Sequence, residues 1–256
     1  VAVLSSRIRL LFFVFTRLLS LLVLIGSASA EEQFENSVIG RSAEGREIHC
    51  EVYGTGPDVL MVIATIHGNE AAGTPLVAAF GEWLIAHPEE LAGRQVVIIP
   101  VANPDGMAAK VRFNPRGIDL NRNFPAGNWH EGNVKLHGPT PLSEPESRAI
   151  LQAIMRYFPQ RIVSIHQPLE CIDYDGPAQE LATAMGKVSP LPVKKLGGLP
   201  GSLGSFVGET LKKPIITLEL SRKTSSDPQE LWETYGESLV AALRYTDQTK
   251  ANHESP

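Results

Sequence analysis

The stretch DVLMVIATIHGNE, residues 58–70, decides how this chain is read. From Val59 to Ile66 it is apolar apart from Thr65 and rich in β-branched residues, with no polar alternation. Such a run reads as a strand buried on both faces. Polar character then begins abruptly at His67, and a helix is expected from about Ala71 to Ala86. The same design recurs. QVVIIPVA (95–102), RIVSIH (161–166) and PIITLEL (214–220) read as further buried strands, and REIHCEVY (46–53) as an alternating one. Helices are expected over about 143–158, 178–188 and 228–246, the first opened by a capping box of Ser143 and Glu146. Apolar strands alternating with helices predict an α/β fold around a largely parallel sheet.

In such sheets ligand sites gather at the carboxyl ends of the strands. His67 and Glu70 follow one strand, and Asp105 and the polar segment to about Leu142 follow the next, opened by the turn signals of NPDGM. His166 ends a third strand, and Glu219 lies near the end of a fourth. Two imidazoles and one carboxylate suit a catalytic zinc ion. A short His-x-x-Glu pair also arises by chance, but its place at a strand end, with a second strand-end histidine, points to metal. Glu219 interrupts an apolar run, where a carboxylate is costly unless paired or functional, which makes it a candidate general base. An edge-strand position is the alternative.

The segment RFNPRGIDLNRNFP (112–125) gathers three arginines and three asparagines. Guanidinium forks bind carboxylates and can polarise a carbonyl, and a loop of this length over a rigid sheet suits function. A solvated polar loop is the alternative. His130 and His137, in the same region, read as solvated loop histidines or rim contacts. Asp173 and Asp175 read as partners of a ligand histidine or as turn formers before Gly176.

HGNE, RFNPRGIDLNRNFP, SIHQP and TLEL, in that order, resemble the zinc carboxypeptidase family, the carboxypeptidase A-like metallopeptidases. The resemblance spans His67 to Glu219. It implies a three-layer α/β/α sandwich with a mixed, largely parallel central sheet, holding one zinc ion on His67, Glu70 and His166. It further implies Glu219 as general base and Asn121 with Arg122 as the grip on a substrate's terminal carboxylate. Arg112 would stabilise the oxyanion, with Arg116 its competitor. The reaction implied is hydrolysis of an amide next to a free carboxylate. The digestive members' mobile tyrosine has no match; Tyr174 is the only tyrosine in that interval and is not assigned the role. Compact size and the segments HQPLECID, PGSLGSF and ITLELS are most similar to the bacterial murein peptide amidase branch. That implies a peptidoglycan-derived peptide substrate cut at the γ-D-glutamyl–meso-diaminopimelate bond. Three rivals stand beside it: an acylamino-acid deacylase of the aspartoacylase or succinylglutamate desuccinylase type, a general metallocarboxypeptidase, and a non-catalytic wall-binding module.

Composition sets the bounds. The chain has 256 residues, 43% hydrophobic and 20% charged, enough for one large core. Residues 1–30 carry Arg7 and Arg9, an apolar run to Ile25 and a small-x-small end at Ala28–Ala30, the pattern of a signal peptide. The run is too short, and too interrupted by Arg17, for a spanning helix. The expectation is an exported, periplasmic domain of residues 31–256 with no stable membrane span. Removing 1–30 takes three arginines and no acid, so the net charge moves from −5 to −8. That balance, without a basic run, argues against a nucleic-acid partner. Cys50 and Cys171 leave open either one bridge or two buried thiols.

Overall fold

A computed structural model describes residues 34–130 and 134–246. The proposed signal peptide therefore lies outside the described residues. The chain separates into Val1–Phe34 and Glu35–Pro256, and all that follows concerns the second unit.

Seven strands form one sheet in the order β1-β2-β4-β3-β5-β7-β6. They are β1 (Phe34–Arg41), β2 (Glu47–Tyr53), β3 (Asp58–Ala64), β4 (Arg94–Ile99), β5 (Arg161–His166), β6 (Leu169–Asp175) and β7 (Ile215–Ser221). β3 pairs in parallel with β4 and β5, and β5 with β7, while β2 and β6 pair antiparallel with β4 and β7. The sheet is mixed with a parallel centre, as expected. β1 and β6 are additions to the sequence reading.

The unbroken apolar run of β3 has a simple cause. Leu60, Val62 and Ala64 join the core on one face of the sheet, and Val59, Met61 and Ile63 join the core on the other. The first core is closed by helices α1 (Gly73–Ala86), α5 (Gln179–Gly186) and α6 (Pro228–Arg244). The second packs against α4 (Pro145–Tyr157) and the π-helix Ser205–Thr210. Two-sided burial leaves β3 no face for polar residues between Val59 and Ala64.

Several local expectations are corrected. Between Asn103 and Leu142 the chain is not one loop; it contains α2 (Pro104–Ala109), a 3₁₀ turn at Leu120–Arg122 and α3 (Val134–His137). Asn103 and Pro104 act as helix cap and first helical residue, since Asn103 Oδ1 accepts from Gly106 N at 2.9 Å. The capping box before α4 does not form. Pro145 starts that helix behind Glu144, Ser143 Oγ donates to Glu144 Oε1, and Glu146 accepts from Ala43 N instead. Cys50 and Cys171 are buried free thiols, held apart because β2 and β6 lie toward opposite edges of the sheet. His137 is buried rather than solvated; its Nδ1 is 3.2 Å from the His130 carbonyl oxygen.

Candidate metal centre and substrate cavity

The site forms where β3, β5 and β7 run out. Thr65, just past β3, takes φ of 54°, a left-handed conformation that a β-branched residue adopts only when its surroundings impose it. Its hydroxyl meets Thr74 Oγ1 at 2.8 Å and its carbonyl accepts from Asn103 N. This turn swings His67 and Glu70 off the strand direction and over the sheet edge. Gly68 is required here, because a Cβ would lie 1.9 Å from the Gly106 carbonyl carbon.

His67 Nδ1 lies 2.9 Å from Glu70 Oε1, and His166 Nδ1 lies 3.0 Å from Glu70 Oε2 and 3.2 Å from His67 Nδ1. The three residues offer ligand atoms all within 4.8 Å of one another, and all three are buried. Among the described residues no other such cluster occurs. The outward ring nitrogens are also engaged: His67 Nε2 meets Asp119 Oδ1 at 3.1 Å, and His166 Nε2 meets Ser164 Oγ at 3.0 Å. Each imidazole is thereby oriented with Nδ1 toward the common centre and its other ring nitrogen held by an outer partner, the usual arrangement around metal-binding histidines. Donor types, convergence and outer partners all fit a single zinc ion.

Electrostatics agree with a cation site. Burial alone would raise the Glu70 pKa, but hydrogen bonds with His166 and His67 outweigh it and hold the carboxylate well below its usual range. Asp119 behaves alike, burial being overcome by His67 and then by Arg112 and Arg122. Burial would lower His67, yet Asp119 and Glu70 hold it above its ordinary value.

The other predicted residues converge on the same place. One cavity of about 240 Å³ is lined by the triad, Arg112, Asn121, Arg122 and Glu219. Arg112 reaches Glu70 Oε1 at 3.1 Å and Asp119 Oδ2 at 2.9 Å. Asn121 Oδ1 accepts from Leu203 N at 2.8 Å, which leaves its amide NH₂ to donate elsewhere. Arg122 donates to the Asn121 carbonyl oxygen and makes no direct ion pair among the described residues; burial lowers its pKa, opposed by the charge of Asp119. Glu219 lies beside His166 in the β5–β7 register and accepts from Leu169 N at 3.2 Å; burial raises its pKa. Arg116 is not among the lining residues. It turns outward to Glu144 at 3.4 Å, which leaves Arg112 as the guanidinium beside the triad.

Other assignments are moved. Asp105 pairs with Ser42 and Arg46 away from the cavity, and neither His130 nor His137 lines it. Tyr174 points to the opposite face of β6, against the helical core. Asp173 and Asp175 touch no ligand histidine and form no turn; they stand on β6 and line the cavity. Asp119 escaped the sequence reading, although it sits inside the quoted IDLNR run. The available signal was the need of a buried metal-binding histidine for a carboxylate partner. Replacing Asp119 with Ala is expected to weaken zinc binding about 10–100-fold, read by competition with a chromophoric chelator.

The chain belongs to the zinc carboxypeptidase family, whose profile matches residues 27–238. It is 34% identical over 186 residues to murein peptide amidase A of Escherichia coli K12, covering 66% of this chain and 74% of that one. It is 32% identical over 176 residues to murein peptide amidase A of Vibrio campbellii, covering 62% and 68%. The crystal structure of murein-tripeptide amidase from Escherichia coli O157 superposes with a TM-score of 0.63 at 28% identity, over 83% of this chain and 93% of that one. Carboxypeptidase A of Helicoverpa armigera has the same fold, with a TM-score of 0.66 at 22% identity over 82% and 69%. The protein is thus a zinc metallocarboxypeptidase-type hydrolase of peptide substrates, with its single zinc site at His67, Glu70 and His166. Among the described residues no helix is long and apolar enough to cross a membrane.

Proposed function

We propose that the enzyme hydrolyses the γ-D-glutamyl–meso-diaminopimelate bond of peptidoglycan peptides and that it does so after export, residues 1–30 serving as the signal peptide. The observation that carries this reading is Arg122, which forms no direct ion pair among the described residues, in one cavity with the zinc triad and Glu219. A substrate with a free carboxylate one residue beyond the scissile amide satisfies both groups at once, and diaminopimelate presents such a carboxylate. Similarity to the murein peptide amidases supports the choice of substrate.

Zinc, when bound, supplies Lewis acidity that makes water a better nucleophile at neutral pH. The residues of the chain do the rest. Glu219, its basicity raised by burial, takes a proton from the attacking water and returns it to the departing amine. Arg112, at the rim of the triad, faces the carbonyl oxygen as charge develops there; loss of such a donor costs about 10²–10³ in rate. Asn121 NH₂ and the Arg122 fork hold the terminal carboxylate and fix the register of the cut.

The test is incubation of L-Ala-γ-D-Glu-meso-diaminopimelate with zinc-loaded protein, with and without chelator, followed by mass spectrometry. Chelator-sensitive release of free diaminopimelate is expected. Cleavage of ordinary C-terminal peptides or acylamino acids alone would point to the general metallocarboxypeptidase or the deacylase instead. A charge-assisted pair of this kind contributes about 1.5–3 kcal/mol per bond. Replacing Arg122 with Ala is therefore expected to raise KM about 10²-fold. The amidated peptide, already deprived of the carboxylate, should lose nothing further.

A further inference from the structure

Capping α2 accounts for only half of the Asn103 side chain. Its Oδ1 accepts from Gly106 N at 2.9 Å and closes the first turn of that helix. Serine, threonine or aspartate would cap as well. Of the four, only asparagine also carries an NH₂ group, and the cap fixes which way that group points. Nδ2 donates to the Ile66 carbonyl oxygen at 3.2 Å and to the Arg112 carbonyl oxygen at 3.4 Å. Ile66 precedes the zinc ligand His67, and Arg112 brings the guanidinium beside the triad. A single amide, 0% exposed, thus ties the segment of the metal ligand to the segment of the arginine.

The tie matters because no regular element supports Arg112. Residues 111–114 lie outside helices and strands. The guanidinium is 34% exposed, and its partners Glu70 and Asp119 belong to the metal centre. The main chain is what is held. Gly68 N donates to the Arg112 carbonyl oxygen at 3.3 Å, beside the Asn103 amide, and Val111 N donates to the Gly106 carbonyl oxygen at 2.9 Å. Asn103 N donates to the Thr65 carbonyl oxygen at 2.9 Å. Gly106 is packed so closely that a Cβ there would lie 2.5 Å from Asn103 Nδ2 and 2.8 Å from the Phe113 carbonyl oxygen. The amide therefore sets the spacing between two segments that are each pinned to it. A donor to developing charge acts through its placement before the reaction begins, and an error of about 1 Å can cost about 10²-fold in rate.

We propose that Asn103 is a positioning residue, which locks the main chain of Arg112 to the segment bearing His67 and so aims the guanidinium at the substrate's carbonyl oxygen. This rests on the reading above, in which Arg112 faces that oxygen.

The test is a double-mutant cycle on zinc-loaded protein: wild type, Asn103→Ser, Arg112→Ala and the double variant. The substrate is whichever of the peptides and acylamino acids above wild type cleaves fastest, so the outcome does not depend on diaminopimelate. Serine keeps a capping oxygen and lacks the NH₂ group. Asn103→Ser is expected to retain one equivalent of zinc and a nearly unchanged KM, and to lower kcat by about 10–10²-fold. In the Arg112→Ala background the same change should cost no more than about 2-fold, because the group it aims is gone. A merely structural role would lower kcat by one factor in both backgrounds, and that result overturns the proposal while leaving Arg112 its place. Arg112→Ala with wild-type kcat overturns both. If Asn103→Ser does not fold or bind zinc, Asn103→Asp, which keeps the side-chain shape and the cap, takes its place in the cycle. Failure of both to fold assigns Asn103 to stability alone and overturns the proposal. If wild type cleaves none of the substrates, the four proteins are titrated with a phosphinic dipeptide analogue ending in a free carboxylate, whose anionic oxygen imitates the transition state. The same non-additivity is then expected in Kd, and additive losses overturn the inference.

Discussion

Glu219→Gln is expected to lower kcat by about 10³- to 10⁴-fold while one equivalent of zinc stays bound, since loss of a positioned general base typically costs up to about 10⁴. The separation of the two readouts follows from the structure. Glu219 is not one of the three convergent ligands, and it enters the site from a different strand, beside His166 in the β5–β7 register. Gln keeps the oxygen that accepts from Leu169 N, so the β6–β7 edge need not shift. What Gln cannot do is take up a proton. Burial raises the Glu219 pKa, which brings its basicity nearer to that needed to deprotonate water at neutral pH. Metal content by atomic emission and single-turnover kinetics on the same preparation check both halves. Retention of most activity would move the proton transfer to another group.

The parts of this molecule that were legible in its sequence are those where one physical demand acts alone. β3, β5 and β7 are buried on both faces, so their composition is dominated by apolar residues, and the histidines and carboxylates near their ends stand out against it. His67, His166 and Glu219 were therefore visible as strand-end chemistry. Where one residue answers two demands, the reading failed. β6 alternates, but the row facing away from the helical core is the buried thiol Cys171 followed by Asp173 and Asp175, two acids that line the cavity rather than face solvent and that mimic turn formers. Asp119 caps the 3₁₀ turn through Asn121 N, orients His67 and pairs with Arg112, so neither its burial nor its charge predicts a single role. Ser143 and Glu146 have the spacing of a capping box, yet Pro145 and the tertiary partner Ala43 N decide the geometry. Distant contacts of this kind leave no local periodicity to read.

His166→Ala is expected to weaken zinc binding by more than the ~10–100-fold predicted for loss of the outer partner Asp119, and to reduce hydrolysis to background. His166 supplies one of only three convergent donors, and it also holds Glu70 Oε2 at 3.0 Å. Removing it deletes a ligand and frees a second one to turn away. Metal binding also carries a pH signature. Zinc takes the neutral imidazole and the ionised carboxylate. Without metal, Asp119 and Glu70 hold a proton on His67, so its pKa is raised. A raised histidine stabilises the chelated chain fully below its unfolded value near 6.5 and loses that contribution as pH climbs through the folded pKa. Glu70 and Asp119 are depressed, so their contributions are present above the ordinary carboxylate range and vanish as pH falls. Zinc must displace the His67 proton, and its affinity therefore increases with pH across that titration. The Tm difference between zinc-loaded and chelated protein should widen with pH accordingly, by mass action. In His166→Ala that difference should collapse at every pH. A variant that keeps the full zinc-dependent shift would remove His166 from the metal site and leave its place beside Glu219 to be explained by packing alone.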